Sequence, residues 1–243
     1  MKKLRTPALV LLLILGACKR SDDTATPLTT AEVADMVATS LSVNSSGAMT
    51  VSTDMTLNAQ AVFDLNIGCG ATKSYSVTHT SPAGSAVTYS NTLNYNYTLN
   101  CNASNVPDNV TGTASDKGTF DGPRMSSTNT GTASFKVAGL TPNATVYAIN
   151  GEYKRTGTFT SKVESKNTST TTITLVIKNL LINKTTKAAT GGTATITVTG
   201  TTTRKASINF EGNLTFNGDG KATVTINGTV YLVDLLTGDF TKK

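Results

Sequence analysis

Residues 87–101 read VTYSNTLNYNYTLNC, and this stretch decides the fold class. Val87, Tyr89, Leu93, Tyr95, Tyr97, Leu99 and Cys101 share one parity, while Thr88, Ser90, Thr92, Asn94, Asn96, Thr98 and Asn100 take the other. Successive side chains of a strand point to opposite faces, so this alternation marks a half-buried β-strand. Upstream, Cys69, Tyr75, Val77 and His79 also share a parity, and Ser81-Pro82-Ala83-Gly84 supplies a turn between the two segments. The resulting hairpin brings Cys69 and Cys101 to one face. Their pairing needs a wide loop or a bulge, because a tight turn at Pro82 leaves Cys69 several residues short of Cys101.

The same pattern continues downstream. Turn-rich breaks fall at 105–112 and at Asp121-Gly122-Pro123-Arg124, and residues 132–137 and 144–149 lead into Asn150-Gly151, a strong two-residue hairpin signal. Residues 171–182 and 193–199 form another long pair. Near the C-terminus, a turn at Asn227-Gly228 sets Ile226 opposite Thr229. A three-residue loop ending in a left-handed Gly220 then unites Phe210, Leu214, Phe216, Val224, Ile226, Tyr231 and Val233 on one core face. All these pairs are sequential neighbours, so a meander is the simplest topology. The 47 threonines favour strand as well.

Before the strands, Thr29 and Glu32 form a capping-box signature, and Val33, Met36, Val37 and Leu41 fall on one helical face. A short amphipathic helix is expected over residues 30–41, ended by Asn44-Ser45-Ser46-Gly47, with strand and turn from residue 48 onward. The fold class is therefore all-β: an antiparallel meander forming a sandwich, a barrel or a strongly curved sheet, with one N-terminal helix. The segments are 1–17, 18–28 (a polar tether), 29–47 (helix and connection) and 48–243 (β domain). The region 105–130 leaves one β domain or two open.

The first seventeen residues carry an export signal: Lys2, Lys3 and Arg5, an apolar run over 8–15, then Gly16 and Ala17. The apolar run is too short to cross a bilayer, which needs about 20 residues. Leu15-Gly16-Ala17-Cys18 resembles the lipobox of bacterial lipoproteins. That resemblance implies cleavage before Cys18 and acylation of Cys18, and so a membrane partner engaged through covalent lipid. Lys19-Arg20-Ser21-Asp22-Asp23 resembles the acidic export tag of surface lipoproteins in some Gram-negative bacteria, and Asp23-Thr24-Ala25 resembles an O-glycosylation acceptor of the same envelopes. The Thr-rich, Asn-Gly-punctuated ending is similar to that of β-domain surface lipoproteins of the same type, which brings no known activity. Together these resemblances imply an outer-membrane, lipid-anchored protein at the cell surface, with a periplasm-facing orientation as the alternative.

With Cys18 carrying lipid, Cys69 and Cys101 remain, and in an oxidising compartment they are expected to form one disulfide. Closing a loop of about 33 residues stabilises a fold by up to roughly 3.5–4 kcal/mol in the chain-entropy picture. Loss of Lys2, Lys3 and Arg5 with the signal leaves 18 basic residues against 15 acidic, so the net charge falls from +6 to about +3. No dense basic run with interleaved aromatics remains, which argues against nucleic acid as a partner.

Catalytic patterns are sparse, and no cofactor is indicated. His79 is the only imidazole, so a multi-histidine metal site is impossible and a Ser-His-Asp apparatus would lack its usual Gly-x-Ser-x-Gly elbow. Phosphate-cradling glycine loops are missing. Asn217-Gly218-Asp219-Gly220 lacks the closing Glu of a calcium loop, since Ile226 occupies that position. Glu152, Glu164 and Glu211 are the strand-located acids from which a glycoside hydrolase would need to draw a pair. Tyr89, Tyr95 and Tyr97 share a strand face and are candidate contacts for a glycan or protein ligand if exposed, or core if buried. The leading expectation is a non-enzymatic surface binding or structural module. The alternatives are a periplasm-facing carrier of an acyl chain or unfolded client, by fold-level analogy, and a glycoside hydrolase. An open apolar concavity would favour the carrier; a filled one would remove it.

Overall fold

The computed structural model describes residues 27–65, 67–163 and 166–243. Two helices lead, α1 (Thr30–Leu41) and α2 (Ala48–Asp64), joined through a 3-10 turn (Val43–Ser45). Eleven strands follow: β1 (Thr72–Thr80), β2 (Thr88–Cys101), β3 (Pro107–Asp121), β4 (Met125–Ala138), β5 (Val146–Ser161), β6 (Thr168–Asn183), β7 (Ala189–Thr202), β8 (Ser207–Phe216), β9 (Lys221–Ile226), β10 (Thr229–Asp234) and β11 (Phe240–Lys242). Each pairs antiparallel with the next, so spatial order equals chain order, and β1 does not meet β11. The expected all-β meander stands as one open sheet.

Why the sheet curls is visible in α1. Thr29 Oγ1 accepts from the Glu32 amide (3.1 Å) and Glu32 Oε2 accepts from the Thr29 amide (3.0 Å), the capping box expected from sequence. Every residue from Glu32 to Leu41 is buried, so the helix is enclosed on all sides rather than lying on a surface. It touches β5, β9, β10 and β11, while α2 touches β2, β3, β4 and β5. The sheet wraps both helices and its inner face meets them in a single core.

The outer face is polar. Thr80, Ser90, Thr119, Thr128, Thr158, Thr170, Thr201 and Ser207 lie side by side across eight strands. A barrel that spans a bilayer has the reverse arrangement, apolar outside and polar within. No helix among the described residues is long and apolar enough to cross a membrane.

Much of the expected register holds. Ile226 sits opposite Thr229, Phe216 opposite Ala222, and Gly220 is left-handed (φ 76°), which gives the three-residue loop Gly218-Asp219-Gly220. The C-terminal core face is buried except for Phe210, which is half-buried against the core. The loop after β1 is wide: Ser81 donates to the Tyr89 carbonyl (3.0 Å), and this register carries Cys69 to Cys101, bonded with Cα atoms 5.6 Å apart.

Three expectations are corrected. Residues 48–64 form a second helix, not strand. Its buried line of Met55, Ala59 and Val62 is helical, but Thr, Ser and Asn dilute the signal and its N-cap, Gly47, makes no side-chain cap bond. Gly47 is required for space, since a Cβ there would press on the backbone of Ser40 and Leu41. Asn150-Gly151 is not a turn but a bulge inside β5, where a Cβ on Gly151 would strike the Ser134 carbonyl. The turn-rich reading of 105–112 also fails beyond residue 106, because β3 begins at Pro107 and β2, β3 and β4 pair along their lengths, so the sheet runs unbroken through 105–130.

Candidate functional site

The sheet is interrupted at one seam, between β1 and the β10–β11 end, and the helical connection lies across it. On the β10 side the connection is stitched by backbone: the Val43 amide donates to the Leu235 carbonyl and the Asn44 amide to Leu236, both at 2.9 Å. On the β1 side the attachments are side chains from α2. Asp54 Oδ2 lies 2.8 Å from His79 Nε2 on β1 and accepts from the Tyr95 hydroxyl of β2 at 2.8 Å. Asn58, one turn later, donates to the Tyr97 hydroxyl (3.1 Å).

A carboxylate only accepts, so His79 Nε2 carries the proton in its bond to Asp54. The ring also lines a recess of about 220 Å³ with Val43, Thr50, Thr53, Asp54 and Tyr89. The Thr50 hydroxyl is already spent on the Val43 carbonyl (3.2 Å). The arrangement orients an imidazole beside a small, mostly apolar hollow. A second recess, about 250 Å³, opens on the far side of the connection beside Arg124, whose guanidinium forks onto the buried Asp35 carboxylate (2.8 and 2.9 Å) and lies over the Phe240 ring.

Of the three tyrosines singled out by sequence, Tyr95 and Tyr97 are 1% exposed and stack on each other within the core. They offer no flat surface to a ligand, and of the two readings the sequence left open the core one holds for them. Burial and the Asp54 carboxylate push the Tyr95 phenol far above its ordinary range, and burial does the same at Tyr97, so both keep their protons, Tyr95 donating to Asp54 and Tyr97 accepting from Asn58. Tyr89 alone reaches a recess. Cys18 and Glu164 lie outside the described residues. Glu152 and Glu211 are exposed on the outer face, three strands apart, roughly 14 Å at ordinary strand spacing, which is too wide for a glycosidase pair.

Sequence reasoning missed a polar cluster inside the sheet. Asn91, Gly118, Asn129, Gly157, Thr171 and Gly200 form one inward rung, and Leu93, Asp116, Gly131, Arg155 and Ile173 form the next. The glycines make room: a Cβ at Gly131 would run into the Asp116 carboxylate, and one at Gly118 would strike Asn91. Arg155, 1% exposed, donates to the Thr39 and Ser45 carbonyls (3.2 and 3.4 Å), and Asn91 donates to Ser46 (3.4 Å). Cationic donors suit the carbonyl end of a helix, so the cluster fixes where α1 stops and the chain turns. Burial raises the Asp116 pKa, opposed by the Arg155 charge and the Asn91 amide. The signal for this cluster was Gly, Asn, Asp and Arg at inward parity on apolar strands.

Among the described residues no group of three or more His, Cys, Asp or Glu is arranged to hold a metal ion. Comparison with protein-family models, curated proteins and solved structures gives no match.

Proposed function

We propose that the chain is a lipid-anchored, non-enzymatic β domain displayed at the outer membrane, where it serves as a surface binding or structural module. The observation that carries this reading is the filled concavity. Val33, Met36, Val37 and Leu41 of α1 are each 0% exposed, and α2 adds Val51, Met55 and Val62 at 0%. Burying one such side chain is worth about 1.5–3 kcal/mol, so withdrawing the four residues of α1 alone costs on the order of 6–12 kcal/mol as an upper estimate. That is comparable to the whole stability of a typical domain, about 5–15 kcal/mol. The helices therefore act as core, not as a lid, and an acyl chain has no interior to enter. Contacts with other molecules fall to the hydroxyl-rich outer face and the seam.

The test is protease shaving of intact cells, with lysed cells as control, and mass spectrometry of the amino-terminal peptide. Cleavage in intact cells together with an acylated Cys18 is the expected result. Protection until lysis would overturn surface display and turn the assignment to the periplasmic face.

A further inference from the structure

We infer that the free edge of β1 is a docking site for an extended, uncharged segment of a partner protein, which adds as a further strand and lays alternate apolar side chains along α2. The inference deepens the reading of the domain as a binding module and rests on it.

Backbone direction comes first. The Ser81 amide donates to Tyr89, and the Ala71 carbonyl accepts from Leu99, both at 3.0 Å, so odd-numbered residues of β1 face β2. Thr72, Ser74, Ser76, Thr78 and Thr80 therefore turn their N–H and C=O groups to the open side, where no other described strand pairs with them.

Edge strands are ordinarily blunted by shortness, charge, proline, bulges or a covering segment. The opposite end of this sheet follows that rule: β11 has three residues and the helical connection is bonded to Leu235 and Leu236 just before it. β1 does not. It has nine residues in unbroken register with β2, no proline, and a single charge, Lys73, near its start.

Beside this edge lies exposed apolar surface. Asp54 and Asn58 of α2 reach β1 and β2, and the same helical line continues through Ala61 to the C-cap Leu65, which is 56% exposed. Val43 and Leu57, also exposed, belong to the same helical layer. An extended segment presents backbone groups to the edge and every second side chain to this layer, with the recess at Val43, His79 and Tyr89 as a pocket for one of them. Lys73 is the only charge on the strand, which favours an uncharged segment. The template is also held at both ends, by Cys69–Cys101 before its first residue and by His79–Asp54 near its last, which lowers the ordering cost of binding. A second copy of the chain is a poorer occupant: it would bring its own curved sheet and helices to the side where α2 already stands, whereas a lone strand brings neither.

The probe is a synthetic peptide with the sequence of residues 88–100, which is uncharged, alternates Tyr and Leu with Asn and Thr, and already pairs with β1 as part of β2. Amide exchange of the full chain in detergent, resolved to single residues, should slow at least tenfold at Ser74, Ser76 and Thr78 with this peptide and not with a scrambled one. Ser76→Pro removes one outward donor without touching the β2 ladder. The double variant Ser74→Lys/Thr78→Lys keeps the backbone and guards the edge with charge. Each should bind at least tenfold more weakly with melting near that of the parent. Unchanged exchange at millimolar peptide, slowing confined to other strands, or full binding by the lysine variant would overturn the inference. So would slow exchange at these residues without peptide that strengthens with protein concentration, which would assign the edge to a second copy. Because binding is read on purified protein, its failure is distinguishable from protease protection in intact cells, which concerns orientation alone.

Discussion

Asp116 sits among inward-facing groups of β2, β4 and β5, over the space left by Gly131, and burial holds its pKa above the ordinary value despite the Arg155 charge. The folded state thus keeps a proton that the unfolded chain has already released. Stability is lost as pH rises from the unfolded carboxylate value through the folded one. Asp116→Asn cannot titrate, so its melting temperature minus that of the parent should increase from acid to neutral pH. A difference that stays flat, or falls, would sink this account of Asp116. The disulfide gives a second expectation. Cys69 and Cys101 are 32 residues apart, and Cys101→Ser should lower unfolding free energy by at most roughly 3.5–4 kcal/mol, read by urea denaturation without reductant. An unchanged midpoint would mean that the bond stabilises nothing. At this scale the sequence was legible wherever residue type and parity agreed, as at Tyr95, Tyr97 and the cysteines. Asn91, Asp116, Asn129 and Arg155 were illegible because Asn91 and Arg155 act on carbonyls of the helical segment, and Asn91, Asp116 and Asn129 occupy space left by glycines of neighbouring strands. Only the register brings those positions together.

Elements were legible where one pattern dominated. β2, the C-terminal hairpins and α1 each carry a clear period or capping signature, and all appear near their expected bounds. α2 was hidden because its apolar pattern is diluted on both sides: small polar residues such as Ser52 and Thr56 are buried with it, while Leu57 is exposed. Asn150-Gly151 misled for a related reason: glycine also serves where strands approach too closely for a Cβ. β1 shows how one element depends on another. Beyond its ladder with β2, the hold that α2 has on it passes through Asp54, which binds both His79 and Tyr95. Asp54→Ala removes two hydrogen bonds and leaves the buried Tyr95 hydroxyl unpaired, a loss of about 1–3 kcal/mol. The expected signature is faster amide exchange in β1 and its loop to β2, with the central strands β5 and β6 shifted only by the global change. Uniform acceleration across the sheet would show that the contact serves the whole core and not this edge.

The molecule as a whole separates its two surfaces by chemistry. Apolar side chains of eleven strands converge on two helices, and the outer face is built from rows of Thr, Ser and Asn. Nothing in that outer face would draw it into a bilayer, and the large hydrophobics that are exposed, such as Leu65, Val106 and Leu236, are few. With residues 1–17 removed as proposed, the charge of about +3, spread along the chain, adds little attraction to an anionic membrane. On the proposed reading, membrane residence of the β domain rests on the lipid at Cys18. Each acyl CH₂ contributes roughly 0.8 kcal/mol, so two or more chains hold firmly where one is marginal. Cys18→Ser should accordingly move the protein from the detergent phase to the aqueous phase on phase separation of solubilised envelopes, with the disulfide and the melting temperature of the domain unchanged. Retention in the detergent phase of a folded variant from which residues 1–17 have been removed would refute the lipid anchor and require that the domain itself holds lipid. A variant found aqueous but with a lowered melting temperature would show that the amino-terminal segment also supports the fold, a role the enclosed helices leave no reason to expect.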